Sequence, residues 1–236
     1  MCVATFNGDK YIEEQISSIL KSPLVSRVLV SDDGSTDQTL PILKKFSDPR
    51  IKVLKGPQKG LVRNFEFLLT QTSADYIFLS DQDDVWLDSK VGVMLGELQS
   101  CDLVLSNCIV TDESLDVIYH SYFKEVHYPR IGLLSNLYKN SYLGCCIAIH
   151  RRMLAYALPF PSMVVMHDWW LGLVSSHFGR VSIVHQPLIK YRRHSTNYST
   201  TGEASKSSIF LKLKWRLKMI SSLLEAIFRK KLFYEI

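Results

Sequence analysis

Tyr76-Ile77-Phe78-Leu79-Ser80-Asp81-Gln82-Asp83-Asp84-Val85-Trp86 joins an apolar, strand-like run to three carboxylates in four positions. A near-continuous apolar run suits a strand buried on both faces. Carboxylates crowded at its C-terminal end repel one another unless a cation or hydrogen-bond donors compensate them. On an extended chain alternate side chains point the same way, so Asp81 and Asp83 are placed to share a divalent metal. Hard oxygen ligands suit Mg²⁺ or Mn²⁺ rather than zinc. The same stretch also reads as a solvated turn that caps a following helix, with Asp88 and its neighbours at the start.

Outward from this run, residues 27–31, 51–54 and 103–106 are further strand-like segments, separated by helical patterns. Tyr11, Ile12, Ile16, Ile19 and Leu20 follow helical spacing, as do Leu61, Phe65, Leu68 and Leu69. Strands alternating with helices predict an α/β fold: a single Rossmann-like domain with a mostly parallel central sheet. Residues 1–5 are short for a first core strand, so the start is expected to be a few residues late or trimmed. Past residue 110 the pattern loosens. A turn is expected at 112–116, a strand at 142–150, and a helix over 166–178 that stops at Gly179 as helices stop at a C-terminal glycine. A strand follows over 181–191, with Pro187 marking an edge or a bend. The Ser/Thr/Gly-rich stretch after residue 195 reads as a linker. The chain thus divides into a domain over 1–198, a polar linker over 199–208 and a basic helical tail over 209–236.

The net charge of +5 is unevenly placed. Residues 206–236 hold eight Lys or Arg and two Glu, a charge of +6; the other 205 residues hold 20 basic and 21 acidic side chains. With no basic stripe in the body, nucleic acid is not an expected partner. In the tail, Leu213, Leu217, Ile220, Leu224 and Ile227 form one apolar stripe, opposite Lys214, Lys218, Ser221, Glu225 and Arg229. Such a helix suits an anionic membrane surface, or packs its stripe on the body or on a second subunit. No apolar run is long enough to span a bilayer. Five cysteines with no zinc-like spacing, and no signal-peptide pattern, predict reduced, mostly buried thiols and a cytoplasmic protein.

Five further motifs carry candidate chemistry. Residues 29–37 (LVSDDGSTD) end another apolar strand, where open α/β sheets bind ligands; an Asp there can accept a hydrogen bond from a pyrimidine N3–H, or the segment simply caps a helix. Thr5-Phe6-Asn7-Gly8-Asp9 reads as a ligand-approaching loop or an Asx turn. Arg63 could bond a base or phosphate, or lie solvated on its helix. Asp168, in His167-Asp168-Trp169-Trp170, would gain basicity if buried beside the tryptophans, or would cap the helix. In Tyr191-Arg192-Arg193-His194 the arginines could neutralise a diphosphate and His194 could ligate a metal.

In order, TFNG, VSDDGSTD, GLVRN, LSDQDDVW, GCCIAIHR, HDWW and YRRH span residues 3–198. This series resembles the family 2 glycosyltransferases of GT-A fold, and LSDQDDVW with HDWW is most similar to their bacterial rhamnosyltransferase-like members. The resemblance implies an inverting transfer of a sugar from a dTDP- or UDP-linked donor to a saccharide or lipid-linked acceptor in surface polysaccharide synthesis, at the inner membrane face. It implies that Thr5 and Asn7 approach the nucleotide, and that Asp32 or Asp33 binds the base, with Arg63 near base or ribose. Asp81 and Asp83 would bind the ribose and a Mg²⁺ or Mn²⁺ ion, with His194 an extra metal contact. Residues 144–149 would floor the sugar site and Asp168 would be the catalytic base. The residue before Asp168 is His167 where an acidic one is frequent, so Asp168 is the one carboxylate there. Two other classes compete: a haloacid-dehalogenase-like phosphohydrolase using Asp81 as nucleophile, which would want this motif on the first strand, and an inactive membrane-associated homologue.

Overall fold

The computed structural model describes residues 1–195, 197 and 208–234, with side chains to Arg229. Most of the linker expected at 199–208, and the last two residues of the tail, lie outside them.

Four strands begin the sheet: β1 (Cys2–Thr5), β2 (Val28–Asp32), β3 (Ile51–Lys55) and β4 (Tyr76–Ser80). They alternate with helices α1 (Ile12–Leu20), α2 (Thr39–Lys45) and α3 (Leu61–Gln71), as the periodicity predicts. All four run parallel in the order β3-β2-β1-β4. Short β1 is paired along its whole length: its four residues face Leu29 to Asp32, and two of them also face β4.

Beyond β4 come β5 (Val85–Trp86), α4 (Lys90–Leu98), β6 (Leu103–Thr111), β7 (Val117–Tyr119), α5 (Tyr122–Glu125) and α6 (Leu133–Tyr138). A 3-10 turn (Gly144–Cys146) then leads into β8 (Ile147–His150), α7 (Leu154–Ala157), α8 (His167–Phe178) and β9 (Val181–Arg192). Here the expectation of a mostly parallel sheet fails. The order continues β4-β8-β6-β9-β5; β8 is antiparallel to both β4 and β6, β5 to β9, and β7 to β6, while β6 and β9 are parallel. The sheet is mixed. The sequence alternation ends before β8, so no simple βα crossover sets its direction. Because β8 opposes both neighbours, β4 and β6 still point the same way. The C-terminal ends of β1, β2, β4, β6 and β9 therefore share one edge, where the acidic motifs sit.

Local predictions fare unevenly. Pro187 lies opposite Asn107 at a register shift between β6 and β9, as a bend-forming proline should. Of the strand expected over 142–150, the first part is the 3-10 turn and only Ile147–His150 pairs. Helix α8 does end at Gly179, but that residue is extended (φ −144°) rather than left-handed. Its lack of a side chain serves a close approach: a Cβ there would lie 2.8–2.9 Å from the Asp102 carboxylate. Asp102 accepts from the Arg180 amide at 2.7 Å and from the Arg152 guanidinium, joining β6 to the start of β9. All five cysteines are buried and free.

Helix α9 (Ile209–Tyr234) packs against α6, α7 and α8. The face it buries is not the stripe singled out from sequence. Met219, Ser222, Leu223 and Ala226 are buried, whereas Leu213, Leu217, Ile220 and Leu224 are exposed. No helix among the described residues is long and apolar enough to cross a membrane.

Within α8, Gly172 lies under the Tyr142 ring, which is buried and whose hydroxyl sits 2.8 Å from Ser176 Oγ. A Cβ at Gly172 would come 2.1 Å from that ring. Gly172→Ala gains about 1 kcal/mol in helix propensity but incurs overpacking of about 1–3 kcal/mol. With so close a contact, the second effect should win, and the urea midpoint should fall; an unchanged or raised midpoint would refute this packing.

Candidate active site

Three loops at the sheet edge are stitched together by side chains. After β1, Asn7 takes a left-handed φ of 48°. Its amide donates to Ser35 Oγ at 2.8 Å, and its side-chain oxygen accepts from the Thr36 amide at 2.9 Å. Gly8 donates to Thr39 Oγ1 at 2.8 Å, and a Cβ there would meet the Gln82 amide at 2.4 Å. Gln82, inside the acidic run, completes the brace. Its Oε1 accepts from Thr5 Oγ1 at 2.7 Å and from the Phe6 amide at 2.8 Å, and its Nε2 donates to the Phe6 carbonyl.

The two aspartates after β2 part company. Asp32 is buried, and its carboxylate accepts from the Gly34 and Ser35 amides and the Ser35 hydroxyl, closing its own turn. Asp33 reaches the other way, accepting from the Gln58 and Gly60 amides at 2.7 Å each. Asp33 lines a cavity of about 550 Å³, together with Thr5, Gly60, Asn64, Asp81, Asp83, Gly144, His167 and Asp168. Asn7, Asp32 and Arg63 do not line it. Arg63 instead binds Glu66 and the carbonyls of Phe160 and Pro161, pinning α3 to the segment before α8.

The acidic run is a bend rather than an extended strand, so the alternation that would pair Asp81 with Asp83 does not hold. Asp83 Oδ2 lies 2.8 Å from His194 Nε2 and 3.1 Å from Asn197 Nδ2. Asp81 groups instead with Asp84 and Cys145, their ligand atoms all within 4.8 Å of one another. The sequence set of Asp81, Asp83 and His194 is therefore split between two neighbouring clusters. Asp84 is fully buried; one of its oxygens accepts from the Arg192 amide at 3.0 Å, and the other has no protein partner. Burial and the facing carboxylates hold Asp84 well above the ordinary carboxylate range, and push Asp81 up to about 8. The hydrogen bond to Cys146, and burial, likewise keep the Cys145 thiol protonated. A divalent cation fits this site: crowded carboxylates and an unpartnered buried oxygen call for positive charge. Asp81 and Asp84 are its natural oxygen ligands, and a protonated thiol adds little.

Across the cavity, Asp168 sits in the first turn of α8. Its Oδ1 accepts from the Trp169 amide at 2.6 Å. Burial pushes it up to about 7, against the opposing pull of backbone amides, Gly144's among them. The indole N–H groups of Trp169 and Trp170 donate to the carbonyls of Asn136 and Ala157, so both rings are anchored core. His167, which sequence reasoning left without a role, is buried and stacked on Phe65 with ring centroids 3.9 Å apart. Neither of its nitrogens has a hydrogen-bond partner. Burial lowers it to about 3, so it stays neutral at working pH. Gly144 makes this packing possible, since a Cβ would come 2.7 Å from His167 Nε2.

Residues 1–158 match the family model described as glycosyl transferase family 2. The chain belongs to that family. It is 27% identical over 257 residues to the dTDP-rhamnosyl transferase RfbG of Shigella flexneri, covering 95% of this chain and 84% of the relative. It is 28% identical over 201 residues to the UDP-Glc:alpha-D-GlcNAc-diphosphoundecaprenol beta-1,3-glucosyltransferase WfgD of Escherichia coli, covering 83% and 77%. Among solved structures, S. aureus TarS 1-349 in complex with UDP-GlcNAc superposes with a TM-score of 0.70 at 21% identity, over 93% of this chain. The chain spans 65% of that solved chain. At this identity the match speaks for the fold, which is GT-A-like.

Asp168 also sets a stability signature. Its folded value lies above the unfolded-state value of about 3.9. The stability contributed by its neutral carboxyl is thus fully present below about pH 4 and lost as pH rises to about 7. In metal-free buffer Tm should fall across that window, and Asp168→Asn should remove a share of the fall worth roughly 2–4 kcal/mol. Parallel Tm–pH curves for the two proteins would contradict the burial argument.

Proposed function

We propose that this family 2 member is an inverting glycosyltransferase that moves one sugar from a pyrimidine nucleoside-diphosphate donor to a hydroxyl of a saccharide or lipid-linked acceptor in polysaccharide synthesis. The observation that carries this reading is the facing arrangement in one cavity. Asp81, Gln82 and Asp83 of the acidic bend line one wall, and a lone, raised carboxylate, Asp168, stands on another.

Between the two candidates after β2, Asp33 is the one open to the cavity, and its carboxylate is the base-recognising group for a uracil or thymine N3–H. Thr5 borders the same region. Asp32, Asn7 and Arg63 act one step back, holding the loops that carry Asp33 and the wall behind them. Mg²⁺ or Mn²⁺ held by Asp81 and Asp84, with Asp83 and His194 as the adjoining pair, would neutralise charge building on the leaving diphosphate. Asp168 accepts the proton of the acceptor hydroxyl as that oxygen bonds to the anomeric carbon. The bond from that carbon to the diphosphate oxygen breaks on the opposite face, and the nucleoside diphosphate leaves with the electron pair. A base of pKa near 7 is well matched to this task. His167, neutral and without a protein partner, offers a hydrogen bond to a sugar hydroxyl. The named relatives use dTDP- and UDP-linked donors; of these, dTDP-rhamnose is the first to screen, because of the LSDQDDVW and HDWW stretches.

Three measurements test this reading. Asp168→Asn should lower sugar transfer about 10²–10⁴-fold while leaving nucleoside-diphosphate binding, read by calorimetry, intact; full activity would remove the base assignment. EDTA should abolish transfer and Mn²⁺ or Mg²⁺ restore it. Mn²⁺ should also raise the Tm of the wild-type protein but not that of Asp81→Asn/Asp84→Asn; equal shifts would place the ion elsewhere.

A further inference from the structure

Helix α9 carries two apolar stripes, not one. The docked stripe runs Trp215, Met219, Ser222 and Ala226, with Leu223 beside it. Shifting each of the first four by two residues gives the second stripe, Leu213, Leu217, Ile220 and Leu224. An offset of two residues is about 200° around a helix, so when one stripe packs on the body the other points away from it. The accessibilities follow: Met219 and Ala226 are 0% and 2% exposed, while Leu217 and Leu224 are 56% and 49% exposed. Phe210 and Phe228 extend the outward stripe to five turns and are also exposed. The neighbouring helix adds to this surface. Arg216 lies over the Tyr138 ring at 5.3 Å, and Tyr138 and Leu134, one turn apart on α6, are 70% and 80% exposed. An exposed apolar area this long is an interaction surface.

We propose that this face seats on an anionic lipid bilayer, with α9 lying in the interface plane. Charge decides between occupants. Lys214 and Lys218 border the stripe on one side, in the row that also holds Glu225, while on the other side Arg216 donates to the carbonyls of Leu137 and Tyr138. Glu225 is the one acidic side chain of the described part of the helix, and it is paired with Arg229 at 3.8 Å. Residues 209–229 carry five Lys or Arg against one Glu, so a second copy laid on this face would meet it with an excess of like charge. An anionic headgroup layer would match Lys214 and Lys218 while the apolar stripe enters the acyl boundary. The surface is also joined to the candidate active site. The Val165 amide donates to Met219 Sδ at 3.4 Å, three residues before Asp168, and Met166 lines the cavity. Docking would hold the Asp168 side of the cavity near the bilayer, where a lipid-linked acceptor resides. That last step rests on the transferase reading; the bilayer contact does not.

The test is co-sedimentation of the full chain with vesicles of phosphatidylcholine alone, or with one-third phosphatidylglycerol, with no donor present. The wild-type protein should pellet with the anionic vesicles and release at high salt. Leu217→Glu/Leu224→Glu should weaken binding at least about tenfold, and Lys214→Gln/Lys218→Gln about thirtyfold. Both variants should keep the wild-type Tm and turnover on a water-soluble acceptor. Were the leucine variant to lose stability, the lysine variant would still carry the test. No pelleting of the wild-type protein, or equal pelleting of all three, would overturn the proposal. So would a wild-type dimer in sedimentation velocity that the leucine variant dissolves. Failure of the transferase reading would show separately, as absence of donor turnover.

Discussion

Arg192 lies beneath the acidic bend, 4% exposed, and spends its whole guanidinium there. Nε donates to the Asp83 carbonyl at 2.8 Å, Nη1 to the Glu113 carbonyl at 2.6 Å, and Nη2 to the Glu14 carboxylate, while its backbone amide donates to Asp84. The Tyr11 ring stacks on it at 4.8 Å. One buried cation at the end of β9 thus ties together α1, the β6–β7 turn and the loop after β4. Crowded carboxylates at a strand end are unfavourable alone. Here the cation and the tight hydrogen bonding fix the bend's backbone, and leave Asp81 and one oxygen of Asp84 uncommitted. The sequence offers Arg192 as a group to neutralise a diphosphate. In the fold it is a brace, because a planar guanidinium with five donors can satisfy several carbonyls at once where a ligand would take only two.

Much of the architecture was legible because it depends on periodicity. The βα alternation placed β1 to β4 and α1 to α3, and the apolar strand ends located the edge where Asp33, Asp81 and Asp83 gather. The direction of β8 was not legible, since strand sense is set by which neighbours leave room in the sheet and not by local pattern. The choice between Asp32 and Asp33 was equally closed to sequence reasoning. Both are adjacent and chemically alike; only the position of the Gln58–Gly60 amides turns one toward the cavity. The Asp81–Asp83 pairing assumes an extended chain, whereas the bend brings Asp81 beside Asp84 and Cys145 and Asp83 beside His194. Asp168 was readable because two tryptophans beside a carboxylate announce burial. Asp84 and Gln82 were in plain view within the same motif, yet their roles follow from contacts with β9 and β1, far away along the chain.

The tail shows the same limit from another side. Both stripes of α9 satisfy helical spacing, so the pattern alone could not say which one docks. The body decides it: Met219 offers its sulfur to the Val165 amide before α8 and Trp215 and Leu223 pack on the core, whereas the leucine stripe is more uniform and flanked by lysine. The separation of charge noted in the sequence also acquires a spatial meaning. Lys212, Lys214, Arg216 and Lys218 of the tail sit on a helix packed on α8, while four of the body's carboxylates, Asp33, Asp81, Asp83 and Asp168, line the cavity.

Both nitrogens of His167 and Asn64 Oδ1, in the cavity walls, lack protein partners, as does one oxygen of the fully buried Asp84 in the adjoining acidic bend. Each such buried group costs about 1–3 kcal/mol relative to a satisfied one. A fold optimised for stability alone would remove them, and apolar replacements of similar shape are nearly neutral elsewhere. These three residues lie in or beside one cavity, alongside two carboxylates, Asp81 and Asp168, that burial has made reluctant to ionise. The protein therefore holds these unfavourable groups where a cation, a diphosphate and sugar hydroxyls can satisfy them together. Binding then gains what folding gave up, and it gains it only from a ligand that presents donors and positive charge in that arrangement.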